Sequence, residues 1–229
     1  MMALAAFALG GVCPAWAADD LAKYVYPLAN ATGATEPTFE VDFSEVADDE
    51  PLRLWLEKAK DIGQDWLPII RRFLATNDWS PPPTIRLVFK QNLDAPAATA
   101  KSVIYVSVRH VRQHPDDFGM IIHELTHVVQ NYPPGNPGWL VEGVADYIRY
   151  WKYEPEKPHR RVDAKASYKD GYGTTAGFLA WLVWRHDRRI VSRLDDALRH
   201  GRYNDGLLQE WIGKPVDELW LDYLKAQPN

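Results

Sequence analysis

Residues 117–149 read DFGMIIHELTHVVQNYPPGNPGWLVEGVADYIR, and their spacing decides how the rest of the chain is read. His123 and His127 are four apart, so on a helix both project from one face and can grip one ion. Glu124 follows the first of them, where a carboxylate can reach a water held at that ion. Ile121, Ile122, Leu125 and Val128 supply an apolar face, which predicts a helix with a buried side. Asp116 and Asp117 follow a proline and can cap its start. Asn131 and the Pro133-Pro134-Gly135 run stop it. Fifteen residues past His127 comes Glu142, within Trp139-Leu140-Val141-Glu142-Gly143, and Asp146 lies one helical turn further on the same face.

His123-Glu124-x-x-His127 is the H-E-x-x-H pattern in which two imidazoles hold zinc and the glutamate serves as general base. The competing reading is a polar helix face on which two histidines and a glutamate happen to coincide. The core face, the stop signals and a second Glu-bearing segment at fold-back distance argue against it. The residues therefore nominate His123 and His127 as metal ligands and Glu142 as a third, with Asp146 as the rival for that place.

At 229 residues the chain suits one domain, or two lobes sharing a cleft, and with 46% hydrophobic residues it can build a sizeable core. A formal charge of -5 and the absence of a basic stripe interleaved with aromatics argue against a nucleic-acid partner. Arg185 to Arg199 is locally basic, but Asp187, Asp195 and Asp196 break it up. Residues 1–18, MMALAAFALGGVCPAWAA, carry no charge and end in an Ala15-Trp16-Ala17 cleavage pattern. They predict a signal peptide, although no lysine or arginine precedes the apolar run. The stretch is too short to span a membrane, so stable membrane insertion is not expected after its removal. The mature chain, residues 19–229, is expected to be secreted or periplasmic and monomeric. The single cysteine, Cys13, falls inside the leader, so the mature protein has no thiolate ligand and no disulfide.

Thr38 to Val46 alternates like a strand. Asp48 to Glu50 and Pro51 open an amphipathic helix with apolar residues from Leu52 to Phe73, which Pro68 should kink or split. Thr84 to Lys90 and Ser102 to Val108 read as strands, with a short edge strand near Ala97 to Ala100. These elements predict a small mixed sheet backed by one helix and faced by the His-bearing helix. Gly138 to Tyr150 is the second helix of the site. Residues 152 to 171 read as a loop. Helices are expected over 174–187, 189–199, 205–211 and 216–224. The fold class is therefore α+β, with an upper α/β lobe over about 38–131 and a mainly helical lobe over about 137–229.

These residues together resemble the basic secretory protein family of plant and bacterial metallopeptidases. The resemblance lies in Ile104-Tyr105-Val106-Ser107, in HELTHVVQ and in Gly138-Trp139-Leu140-Val141-Glu142-Gly143-Val144-Ala145-Asp146-Tyr147-Ile148-Arg149. It is weaker at Gly171-Tyr172, Thr175-Ala176 and Phe178-Leu179. Two departures stand out: the family's W-D-x-G-Y reads Tyr168-Lys169-Asp170-Gly171-Tyr172 here, losing the Trp and the first Asp, and Gly177 replaces an arginine. The resemblance implies a zincin-like, specifically gluzincin-like, fold. It implies Glu142 as the carboxylate ligand of one zinc ion, and Asp146 as the group that accepts the far N–H of a ligand histidine.

The chemistry expected of such a site is hydrolysis of a peptide or glycopeptide by metal-activated water, with Glu124 as general base. Tyr172, between two glycines, is the candidate donor to the oxyanion, with Tyr168 and His159 in reserve; the alternative is a tyrosine packed at a helix entrance. His110, His114, His186 and His200 lack partners at ligand spacing. Two other functions compete: an exported non-catalytic binding protein for glycans or cell wall, and a metal-dependent amidase acting on non-peptide amides. Glu124 discriminates against the first, since a binding protein has no use for a general base.

Overall fold

In the computed structural model, residues 36–74, 79–157 and 161–227 are described here. The leader, Cys13 and His159 lie outside them. Four strands form one sheet: β1 (Thr38–Asp42), β2 (Thr84–Lys90), β3 (Ala97–Ala100) and β4 (Val103–Ser107). Their order is β1-β2-β4-β3; β1, β2 and β4 run parallel, and β3 returns antiparallel along β4. Between β1 and β2 runs α1 (Glu50–Phe73), whose first turn is capped by the Asp49 carboxylate accepting from the Leu52 N–H at 3.1 Å. Pro68 does not split this helix, which continues through it. Gln64, the residue whose carbonyl the proline cannot reach, is exposed, so no buried acceptor is orphaned.

The register puts Phe39 beside Ile85, Leu87 beside Ile104, and Phe89 beside Val106, with Ala97 and Thr99 completing the same face. Ile85, Leu87, Phe89, Ile104 and Val106 are fully buried. On the opposite face, Arg86 pairs with Asp42 at 3.1 Å and Glu40 at 3.9 Å, in solvent. The His-bearing helix α3 (Gly119–Gln130) packs on the apolar face, and so does α1. Trp55 of α1 lies 5.9 Å from Phe89. Space at Gly63 is bounded by Phe39 and by Leu125 of α3. Both helices thus share one side of the sheet; the expectation of one helix behind and one in front is corrected. That side is the continuously apolar one, whereas the other mixes Val88 with Arg86 and Lys90.

Before α3 comes a short helix absent from the sequence reading, α2 (Val108–Gln113), capped by Ser107, whose Oγ accepts from the His110 N–H at 3.3 Å. Asp116 and Asp117 do not cap α3. It begins after Phe118 without a side-chain cap, because Asp117 is engaged with Arg149 at 2.5 Å and His110 at 2.9 Å. After α3 the chain is helical: α4 (Gly138–Ile148), a π-helical turn (Arg149–Tyr153), a 3-10 turn (Tyr168–Asp170), α5 (Tyr172–Arg185), α6 (Ile190–Arg199), α7 (Leu207–Ile212) and α8 (Val216–Ala226). Two features tie this half to α3. Arg199, at the end of α6, donates to the carbonyls of Val129 and Gln130 at 3.2 Å each, where a cation suits the negative end of the helix. It is held by fully buried Asp195 at 3.1 Å, which also accepts from the Tyr132 hydroxyl at 2.6 Å.

The second tie is the contact of α4 with α5. A Cβ built on Gly143 would lie 2.2 Å from Thr175 Cγ2. Thr175 cannot swing aside, since it is fully buried and its Oγ1 donates to the Tyr168 carbonyl at 2.6 Å. Gly143 is therefore what lets the helix carrying Glu142 approach. Gly143→Ala should cost about 1–3 kcal/mol through overpacking and lower the melting temperature by several degrees (about 2–4 °C per kcal/mol at this size). A thermal unfolding curve unchanged from wild type would show that the two helices can part there freely.

Candidate metal centre

His123 and His127 lie one turn apart on α3, their rings nearly perpendicular (83°) with centroids 4.7 Å apart. Their outer nitrogens are both engaged. His123 Nδ1 lies 2.7 Å from Asp146 Oδ1, and a carboxylate there requires the ring to donate. His127 Nδ1 lies 2.7 Å from Gln130 Oε1, while Gln130 Nε2 donates to the Val141 carbonyl at 3.0 Å. That second bond fixes the amide, turns its oxygen toward His127 and makes Nδ1 the protonated position. Both imidazoles consequently aim Nε2 at the same point.

Glu142 on α4 closes the group. His127 Nε2 is 3.0 Å from His123 Nε2, and Glu142 Oε2 is 3.1 Å from His123 Nε2 and 3.4 Å from His127 Nε2. An ion held at 2.0–2.1 Å by tetrahedrally disposed ligands has them about 3.3 Å apart. The three atoms thus sit at the spacing of one face of such a tetrahedron, and among the described residues they form the group able to hold a metal ion. Asp146 stands behind His123, on the nitrogen that faces away from this point. It is not among the atoms that converge there.

Without a cation the cluster is held by protons. Burial pushes the His123 imidazole down, but hydrogen bonds to Asp146 and Glu142 raise it to about 9. Burial likewise pushes the Glu142 carboxyl up, yet the two histidines hold it down at about 2. A bound metal would take the place of that positive charge, since a ligand nitrogen must give up its proton to coordinate.

Glu124 is buried at 7% exposure beside His123. Its Oε2 accepts from the Thr99 hydroxyl of β3 at 2.7 Å. Tyr172, the first residue of α5, stacks nearly parallel to His123 (12°) with centroids 6.2 Å apart. It is 57% exposed, so it is not a packed entrance residue. Its hydroxyl is pushed up first by the Glu142 charge, then by burial and by Asp146. The backbone there is unusual: Gly171 has φ +78° and Tyr172 φ +46°. A bulky residue in the left-handed region is strained, a cost often concentrated at working sites. Tyr168 is excluded from the reserve role, being buried with its hydroxyl donating to Asp217 at 3.0 Å. His110 is occupied by Asp117 and His200 by Asp196, while His186 packs against Trp181.

Thr99 and Arg199 escaped the sequence reading, and Gln130 entered it only within HELTHVVQ, with no role assigned. Gln130 sits three residues after His127, and that helical spacing could have marked it. Thr99 and Arg199 reach the site from distant elements and leave no local signal.

The family model for BSP, described as a peptidase of plants and bacteria, matches residues 54–223. No curated protein and no solved structure matches the chain. No helix among the described residues is long and apolar enough to cross a membrane.

The two carboxylates on α4 should separate in a zinc-binding titration against a chromophoric chelator. Glu142→Ala removes one of three ligand atoms and should leave no stoichiometric binding. Asp146→Ala keeps the ligands but loses the brace on His123, which should weaken affinity about 10–100-fold. Full zinc retention in Glu142→Ala would overturn the ligand assignment.

Proposed function

Because the chain belongs to the BSP family of plant and bacterial peptidases, we propose that it is an exported zinc peptidase cleaving peptide or glycopeptide substrates. The observation that carries this reading is the convergence of His123 Nε2, His127 Nε2 and Glu142 Oε2 within 3.4 Å of one another, beside the buried carboxylate of Glu124. Two neutral imidazoles and one carboxylate suit zinc. Bound there, zinc would polarise the scissile carbonyl and bring the pKa of its water to about 7.

The chain's own groups do the rest. Asp146 and Gln130 keep both histidines in the tautomer that presents Nε2. Glu124 takes a proton from the attacking water as its oxygen adds to the carbonyl carbon, and returns it to the nitrogen as the C–N bond breaks. Tyr172 donates its hydroxyl to the oxyanion that develops on the carbonyl. The antiparallel edge strand β3, lying alongside α3, supports a zincin-like cleft in which an extended substrate could pair with that edge. Export rests on the uncharged leader, residues 1–18.

Hydrolysis of fluorescein-labelled casein, followed by mass spectrometry of the fragments with and without a chelator, tests the reading. Glu124→Gln should keep its zinc and lose at least about a hundredfold in kcat, the lower range for a general acid–base group. Wild-type rates in that variant, or turnover indifferent to chelation, would sink the mechanism.

Tyr172→Phe removes only the hydroxyl. If that group stabilises the oxyanion, kcat should fall roughly 10²–10³-fold with zinc content unchanged. A variant with unaltered kcat would return the role to backbone donors or to the ion alone.

A further inference from the structure

Thr99 reaches from β3 onto α3. Its register opposite Ile104 turns its side chain toward the helix-bearing face of the sheet. Its Oγ1 lies 2.7 Å from Glu124 Oε2 and 3.0 Å from the Glu124 carbonyl oxygen. A hydroxyl has one proton to give, and the shorter contact, to a charged acceptor, is the stronger claim on it. Glu124 is buried and adjacent to His123, and its other oxygen, Oε1, has no hydrogen-bond partner among the described residues.

We infer that Thr99 is a positioning residue: it holds Oε2 of Glu124 and leaves Oε1 as the oxygen that accepts and returns the proton. The inference rests on the peptidase reading above. The physical reason is torsional. A glutamate has three side-chain torsions, and an untethered carboxylate in this position would spread over several orientations, only some of which face the attacking water. Displacement of a reacting group by about 1 Å can cost on the order of a hundredfold. The tether originates on the edge strand, so the element flanking the cleft also sets the direction of the base.

The test compares Thr99→Val with Thr99→Ser in the zinc-loaded full chain. Valine keeps the shape and the strand preference but has no hydroxyl; serine keeps the hydroxyl. With fluorescein-labelled casein as the probe, Thr99→Val should lose roughly tenfold to a hundredfold in kcat, with KM and zinc content unchanged, and Thr99→Ser should recover most of it. Wild-type kcat in Thr99→Val, a loss confined to KM, or an equal loss in Thr99→Ser would overturn the inference. Glu124→Gln in the same assay separates the two layers. If it is inactive while Thr99→Val is unimpaired, only the role of Thr99 fails; if it turns over normally, the general-base reading fails. Crystal structures of the zinc-loaded wild type and Thr99→Val give a readout independent of turnover. The wild type should show one Glu124 conformer on Thr99 Oγ1, and the variant a turned or split carboxylate. An undisturbed carboxylate in the variant would overturn the proposal.

Discussion

Two hydrogen bonds on the far side of the imidazoles hold the site together. Three Lewis bases within 3.4 Å of one another repel unless something positive lies between them. A histidine ring left to itself would rotate to relieve that crowding. Asp146 on His123 and Gln130 on His127 prevent this by making the outward nitrogen the donor in each ring. The geometry of the centre is thus set by its surroundings, and those in turn depend on how closely α4 can lie against α3 and α5. Gly143 permits that approach, and the bond from Gln130 to the Val141 carbonyl ties α3 to α4 directly.

Much of this was legible in the residues because the crucial distances are local. The spacing of His123 and His127 on one helix, and of Glu142 and Asp146 on another, specifies shared faces by helical period alone. Strand bounds were readable where alternation was clean, as in β2, and the edge strand β3 was found from its small residues. The failures share a cause: each needed knowledge of the folded surroundings. Asp117 has the composition of a cap, but Arg149 and His110 claim it. Pro68 has the chemistry of a break, yet α1 runs through it without splitting, and the Gln64 residue whose carbonyl loses its donor is exposed. Which side of the sheet a helix occupies is not encoded in the helix itself. It follows from which face of β2 and β4 is continuously apolar: Ile85, Leu87, Phe89, Ile104 and Val106, against a face that mixes Val88, Val103 and Tyr105 with Arg86 and Lys90. Family resemblance sharpened the choice of Glu142 over Asp146, which share a face and could not be told apart by periodicity.

Burial opposes charge on both His123 and Glu142, yet hydrogen bonds to Asp146 and Glu142 raise His123 to about 9, and hydrogen bonds to His123 and His127 lower Glu142 to about 2. Tyr172 borders this cluster, exposed and in a strained backbone conformation.

The clamp of Arg199 on the end of α3 carries one more implication, for the order in which the molecule comes together. The groups of the site come from residues 99 to 172, and the brace on the motif helix arrives only from residue 199. Contacts this far apart in sequence close large loops before they return any stabilisation, which makes assembly slow relative to that of a local helical bundle. The group that could hold an ion spans only residues 123–142, so it is the Arg199 clamp, about 70 residues away, that carries this loop-closure cost.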